Sequence, residues 1–232
     1  LRRRLTFEGV DVLLVELETK LYNNLFIPNY KTNLAKEEIL HTLMQITEII
    51  IHQHNGLFLH LVNNLINKIE VFGLHFTSLD IRQESSIHGQ VLTAIADRQP
   101  EILPGYASLD EEGKIKILSG ITTSCNVSLL EDVLHIDTIN TIEIIKTIQQ
   151  YNGVEGCNRY IISQCNSALN AMEVYGLFLL SGWRKQEMTI DIVPLFETID
   201  DLQQAADVMK TLYTNAVYNE HLHRRGNRQT IM

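Results

Sequence analysis

The sequence predicts a helix-rich α/β fold: an incomplete parallel β/α barrel of about three or four strands with additional helices. Three observations predict it. Long segments repeat apolar residues every three or four positions, short segments are rich in β-branched residues, and the two kinds alternate from residue 71 onward. Alternating strands and helices imply parallel strands joined by helical crossovers.

The composition excludes several classes of protein. The chain has 232 residues, 45% of them hydrophobic, with a net charge of −9, so it can bury a sizeable core but is a poor general binder of nucleic acid. The sequence contains no run of 18 apolar residues and no signal-peptide pattern, so we expect no membrane association. Cys125, Cys157 and Cys165 form no CxxC motif, as is typical of a reducing cytoplasm.

Residues 1–70 are predicted to be mainly helical. A short helix is expected over 11–22, before the Pro28 break. Lys36 opens a longer one, which ends at Asn55–Gly56, and a further helix covers 57–70. The residues on one face of the long helix are Ile39, Leu43, Ile46 and Ile50.

Residues 71–232 are predicted to form the partial barrel. The expected strands cover 75–82, 159–163, 190–197, where Pro194 marks an end or a bulge, and 228–232. The expected helices cover 85–98, 109–119, 124–134, 137–151, 167–181 and a last segment that Thr198 or Asp200 caps and that runs to 212.

The candidate site follows from the strands. Active sites of β/α barrels lie at the carboxyl ends of the strands, and the side chains there are Arg82, Gln83, Glu84, Ser163 and Glu197. An Arg presents a rigid fork of donors to phosphate or carboxylate, and a Glu can bind Mg²⁺ or Mn²⁺ through oxygen. They indicate a phosphorylated anionic substrate. The alternative is structural: Arg82 pairs with Glu84 or Asp80, and Glu197 caps a helix or faces solvent.

Other reactive side chains are interpreted as structural. His52 and His54, like His221 and His223, are two positions apart, and on a helix such residues face apart. Cys165 follows the second strand without a basic partner, which favours a buried small side chain over a nucleophile.

Several segments also carry a family pattern. Residues 71–85, 159–163 with the following Met172–Tyr175, and 192–209 resemble, in that order, segments of phosphoenolpyruvate carboxylases. The opening residues 1–7 and the closing residues 225–232 are similar to the same family.

The resemblance implies a reaction and roles. Phosphoenolpyruvate carboxylases convert phosphoenolpyruvate and bicarbonate to oxaloacetate and phosphate, with Mg²⁺ or Mn²⁺, in the cytoplasm and typically as homotetramers. Arg82 would be the catalytic residue that binds the phosphate, and Glu197 would bind the metal. Gln83 and Glu84 would be orienting or structural.

The resemblance also implies that the chain is an internal fragment. It begins at Leu1 without Met, and the family's catalytic His segment, its Gly-Asp-Arg-Asp-Gly motif and its second metal-binding Asp lie outside it. We therefore expect an incomplete metal site and no activity from this chain alone. Two alternatives stay open: a non-catalytic helical interaction domain that uses the apolar stripes at 39–69, or another barrel enzyme acting on a phosphorylated or keto-acid substrate.

Overall fold

The structure, a computed structural model, describes residues 7–27, 30 and 34–232. Contacts divide the chain into two compact units. One comprises the described part of Leu1–Thr77 together with Tyr151–Gly156, and the other comprises Ser78–Gln150 and Cys157–Met232. The predicted break at Pro28 and the similarity of residues 1–6 lie outside the described residues.

The first unit contains three long helices: α1 (Val10–Phe26), α2 (Lys36–Gln53) and α3 (Leu59–Phe72). They share a small apolar core because each has one apolar face. The face predicted for α2, formed by Ile39, Leu43, Ile46 and Ile50, is buried in that core. That face is therefore not available to a partner, whereas Leu61 and Leu65 of α3, which belong to the same predicted stripes, are exposed.

The second unit contains the sheet and six helices, one of which, α6, has its last two residues in the first unit. Its strands are β1 (Asp80–Glu84), β2 (Arg159–Ser163) and β3 (Asp191–Pro194). The helices are α4 (Ser85–Arg98), α5 (Glu111–Gly120), α6 (Val133–Asn152), α7 (Ala168–Leu180), α8 (Ile199–Thr214) and α9 (Ala216–Arg224). The short 3₁₀ helices of the chain cover Tyr106–Ser108, Val127–Leu129, Val154–Gly156 and Lys185–Glu187.

The sheet is parallel, in the order β1-β2-β3. Side chains alternate between its two faces. On one face Ile81, Tyr160, Ile162 and Ile192 join the large apolar core, which also takes in nearly the whole of α7. The sheet thus confirms a helix-rich α/β fold with parallel strands.

The opposite face carries charges at its amino end. The strand register aligns Asp80 with Arg159 and Arg159 with Asp191. Arg159 Nε donates to Asp80 Oδ1 at 2.7 Å, and Arg225 Nε donates to Asp191 Oδ1 at 2.6 Å. We call these four residues the charged layer. Asp80 is therefore paired with Arg159 and not with Arg82.

Two strand predictions were wrong at their ends. β1 begins at Asp80 and not at residue 75, because Phe76 has a φ of +61° and stacks on Phe72. A residue in the left-handed region cannot continue a strand. β3 ends at Pro194, as the proline indicated, so Glu197 lies three residues beyond it.

The predicted fourth strand, 228–232, is not a strand among the described residues. Within this segment, Met232 forms main-chain hydrogen bonds with the end of β3 and the residues that follow it. The Met232 N–H donates to the Pro194 carbonyl, and the Phe196 N–H donates to the Met232 carbonyl, both at 3.0 Å.

The helix predicted over 124–134 was also wrong. Main-chain groups of this segment bond to distant partners: the Cys125 N–H to the Leu180 carbonyl, and the Asn126 N–H to the Gln99 side chain. The Asn126 side chain then accepts from the Ser128 N–H, which produces a 3₁₀ turn. Helix α9 was not predicted; Asn215 caps it by accepting from the Val217 and Tyr218 N–H groups.

Candidate functional site

Arg82 and Glu197 meet at the carboxyl ends of the strands. Arg82, on β1, donates through Nε to Ser163 Oγ at 2.7 Å and through Nη2 to Glu197 Oε1 at 3.0 Å. Ser163 is the last residue of β2, and Glu197 follows β3. One guanidinium thus connects β1, the end of β2 and the segment after β3. Arg82 and Glu197 thus lie at the same edge of the sheet.

The local sequence fixes where Glu197 lies. Phe196, before it, is buried in the core. Thr198, after it, is the N-cap of α8: the Asp201 N–H donates to Thr198 Oγ1 and the Thr198 N–H donates to Asp201 Oδ2. This reciprocal capping box confirms Thr198, rather than Asp200, as the cap. A buried neighbour on one side and a capped helix on the other leave Glu197 little freedom.

A further contact to Glu197 comes from the main chain of Gln164. Its N–H donates to Glu197 Oε1 at 3.4 Å, and its carbonyl accepts from Ser85 Oγ at 2.8 Å. The candidates chosen from the sequence included neither Gln164 nor Ser85. Both residues directly follow a strand, so the strand-end argument could have included Ser85. That argument considers side chains, however, and Gln164 contacts Glu197 through its main chain.

Gln83 and Glu84 bond locally and not to Arg82. Gln83 Oε1 accepts from the Glu84 N–H, and Glu84 Oε1 accepts from Ser86 Oγ. These bonds lie at the junction between β1 and α4. The partner of Arg82 is thus Glu197, rather than the Glu84 or Asp80 of the structural alternative.

The Arg82–Glu197 pair is accessible to water. The two side chains are 53% and 37% exposed, and exposed ion pairs contribute only about 0–1 kcal/mol to stability. A ligand that binds to one of the two side chains can therefore separate them at a low cost in free energy. The geometry therefore suits a site where a guanidinium binds an incoming anion.

The described residues supply one carboxylate for a metal and no complete metal site. No group of three His, Cys, Asp or Glu that could hold a metal ion occurs among residues 7–27, 30 and 34–232. Glu197 Oε1 already accepts from Arg82 and from Gln164. Magnesium requires near-octahedral oxygen coordination, so the residues present do not fit a divalent cation on their own.

The other reactive side chains lie outside this site. Among them, His52 pairs with Glu48 on the surface, and His221 is buried. Burial, with the charge of Asp201, raises the pKa of the buried Cys165 thiol to about 12, so this thiol is protonated and a poor nucleophile.

Known proteins are similar to this chain over most of its length. The family model described as "Phosphoenolpyruvate carboxylase" matches residues 15–232. The chain belongs to the phosphoenolpyruvate carboxylase family. Its similarity therefore extends well beyond the segments that carry the sequence pattern, and includes the helices between β1 and β2.

Individual relatives agree. The phosphoenolpyruvate carboxylase of Trichormus variabilis is 33% identical over 189 residues, which cover 75% of this chain and 18% of the relative. That of Synechocystis sp. is 31% identical over 202 residues, covering 84% and 19%. That of Nitrosomonas eutropha is 32% identical over 189 residues, covering 78% and 20%. The chain thus spans about a fifth of the length of these phosphoenolpyruvate carboxylases.

Family membership favours the first of the three functions predicted from the sequence. The relatives named above are all phosphoenolpyruvate carboxylases. None of the helices in the described parts of the chain combines the length and apolar character needed to cross a membrane.

Proposed function

We propose that this chain carries part of the active site of a phosphoenolpyruvate carboxylase. The whole enzyme joins bicarbonate to phosphoenolpyruvate and yields oxaloacetate and inorganic phosphate. The observation that supports this most directly is the convergence of Arg82, Ser163 and Glu197 at one edge of the sheet, in a chain of this family.

The architecture we propose is a segment of a β/α barrel. Three features support it: the strands are parallel and adjacent, one face packs on the helices that follow the strands, and polar groups gather at the carboxyl ends. On this view the charged layer lies on the inner face, below Arg82. Residues 71–232 would form the partial barrel and residues 1–70 the mainly helical part.

Arg82 is proposed as the residue that binds the phosphate. In the reaction, a bicarbonate oxygen attacks phosphorus, the bond from phosphorus to the enol oxygen breaks, and its electron pair remains on the enolate of pyruvate. Carboxyphosphate then releases CO₂ and phosphate, and the enolate carbon bonds CO₂ to give oxaloacetate. A guanidinium at the phosphoryl oxygens stabilises the charge on them during transfer.

Glu197 is proposed as one oxygen ligand of the Mg²⁺ or Mn²⁺ that the family uses. The other ligands would come from outside the described residues, since these supply no complete site. Binding of either ligand requires the Arg82–Glu197 bond to open. Because the described residues supply only part of the metal site, we propose that the chain alone does not turn over phosphoenolpyruvate, and that activity belongs to a larger cytoplasmic, homotetrameric protein.

The activity proposal is tested by coupling oxaloacetate formation to malate dehydrogenase. The purified chain, with phosphoenolpyruvate, bicarbonate and Mg²⁺, is expected to give no NADH oxidation above the background. Turnover near that of an intact phosphoenolpyruvate carboxylase would overturn the proposed inactivity.

The role of Arg82 is tested by ligand binding, followed by ³¹P NMR. Phosphoenolpyruvate is expected to bind weakly to the chain and to lose about tenfold or more in affinity in Arg82→Ala, as is typical for loss of a charged hydrogen-bonding group. Arg98→Ala is the matched control, because Arg98 is also half-exposed and ion-paired, to Glu131. Equal affinity for the parent chain and Arg82→Ala would contradict the assignment.

A further inference from the structure

The hydrogen bonds between β2 and the segment after β3 skip one residue. The Leu195 N–H donates to the Ile162 carbonyl at 3.0 Å. In a regular parallel ladder the N–H two residues further on, that of Gln164, would then donate to the Leu195 carbonyl. The Cys165 N–H makes this bond instead, at 3.2 Å. Gln164, directly after β2, is therefore an extra residue where the ladder continues beyond the strand, a β-bulge.

The bulge turns the main chain of Gln164 away from the ladder. Gln164 has a φ of +53°, a left-handed conformation that is unfavourable for a residue with a side chain. Its N–H is directed at Glu197 Oε1, at 3.4 Å, and its carbonyl accepts from Ser85 Oγ, at 2.8 Å. Both peptide groups thus bond to side chains at the candidate site.

Ser85 is the only described residue bonded through its side chain to that carbonyl, and its hydroxyl has no capping role. The N-cap of α4 is Glu84, and no side chain there caps the helix. The neighbouring hydroxyl of Ser86 bonds locally, to Glu84 Oε1. The Ser85 hydroxyl instead reaches across 79 positions of sequence. A local explanation therefore accounts for Ser86 but not for Ser85.

We propose that Ser85 is a positioning residue for the Arg82–Glu197 pair. Its hydroxyl holds Gln164 in the left-handed conformation, and the N–H of Gln164 then holds the Glu197 carboxylate where it meets Arg82. The importance of this position for carboxylation rests on the function proposed for Arg82 and Glu197. The geometry itself is measurable without that function.

The test reads the Arg82 side chain by NMR in the full 232-residue chain. The Arg82 Nε–H resonance, assigned by its loss in Arg82→Lys, is expected to exchange with water more slowly than that of an arginine without such contacts, because Nε–H is bonded to Ser163 and the guanidinium is held by Glu197. In Ser85→Ala this exchange is expected to accelerate about threefold or more, as the charge-assisted contact loosens. In Ser86→Ala it should not change. Ser85→Thr keeps the hydroxyl and should restore the slow exchange.

A suppressor separates this role from a general loss of packing. Glycine adopts positive φ without support, so Ser85→Ala combined with Gln164→Gly should recover most of the slow exchange. Unchanged exchange in Ser85→Ala, an equal effect of Ser86→Ala, or no recovery in the double variant would each overturn the proposal. Phosphoenolpyruvate binding is measured separately: its absence in the parent chain would count against the proposed function and leave the Ser85 result intact.

Discussion

The Tyr106 hydroxyl donates a hydrogen bond to Oε1 of the Glu173 carboxyl, at 3.2 Å, inside the core of the second unit. Glu173 is only 5% exposed. A Cβ atom on Gly89 of α4 would lie 3.3 Å from the same oxygen. Burial raises the pKa of Glu173 to about 7, although Asn170, Tyr106 and Lys114 act in the opposite direction.

This carboxyl should make stability fall with rising pH. Because its pKa in the folded chain lies above the ordinary value of 4.5, the folded state binds the proton more tightly than the unfolded state. The stabilisation is complete below pH 4.5 and is lost as the pH rises through about 7. The cost reaches about 3 kcal/mol at about pH 8.

Glu173→Gln removes that titration. The free energy of unfolding of the variant, relative to the parent chain, should rise by about 3 kcal/mol between about pH 4.5 and about pH 8. Urea unfolding at both pH values measures it. The exposed Glu112→Gln is the control and should follow the parent. Parallel pH profiles for the parent chain and Glu173→Gln would contradict the prediction.

Glu197→Gln should strengthen the binding of anions when no divalent cation is present. The substitution removes the charge that pairs with Arg82 at 3.0 Å but keeps the size and an acceptor oxygen. Because the pair is exposed, the gain should be modest, about two- to fivefold in the affinity for inorganic phosphate. ³¹P NMR titration measures it, with Glu187→Gln as the control for a remote acid. Weaker phosphate binding in Glu197→Gln would refute the competition.

The ion pair between Arg225 and Asp191 in the charged layer should contribute more to stability than an exposed ion pair does. The Arg225 and Asp191 side chains are 19% and 24% exposed, so Arg225→Ala should lower the free energy of unfolding by about 2 kcal/mol. Arg184, 3.7 Å from Glu187 and 79% exposed, should contribute about 0.5 kcal/mol or less. Urea unfolding measures the free energy of unfolding of Arg225→Ala and Arg184→Ala. Equal losses in the two variants would contradict the larger contribution expected of the less exposed pair.

Gly176 allows α7 to pack closely against α5. A Cβ at Gly176 would lie 2.6 Å from Leu118 Cδ2, and Leu118 is fully buried. Gly176→Ala should therefore cost about 1–3 kcal/mol through overpacking. Gly120 is the control, since a Cβ there meets nothing within 4 Å; Gly120→Ala should be neutral or slightly stabilising. Thermal unfolding distinguishes them, and similar melting temperatures would contradict the overpacking argument.

The sequence predicted those elements whose own residues determine them. The period of α2 was visible because one face of this helix is apolar and packs into a core. The start of α8 was limited to Thr198 or Asp200 because the bonds of a helix cap are local. The start of β1 could not be predicted, because Phe76 adopts a left-handed conformation that interrupts the apparently extended segment before Asp80. The conformation of residues 124–134 could not be predicted either, because their main chain is hydrogen-bonded to Gln99 and Leu180, which are distant in sequence.

The same distinction applies to the site. Arg82 and Glu197 could be chosen because charged side chains at strand ends are visible in the sequence. Their mutual bond depends on how β1, β2 and the segment after β3 line up in space. The bulge at Gln164 depends on a one-residue shift in the hydrogen bonds between the end of β2 and the segment after β3. The residue types at these positions do not predict that shift.

The charged layer also has an electrical consequence. Asp80, Arg159, Asp191 and Arg225 contribute two negative and two positive charges below the site, so their long-range fields largely cancel. In the proposed site the Arg82 guanidinium attracts an approaching anion, and the charge of Glu197, 3.0 Å from that guanidinium, opposes the attraction. Raising the ionic strength should weaken both effects, as it would for one exposed ion pair.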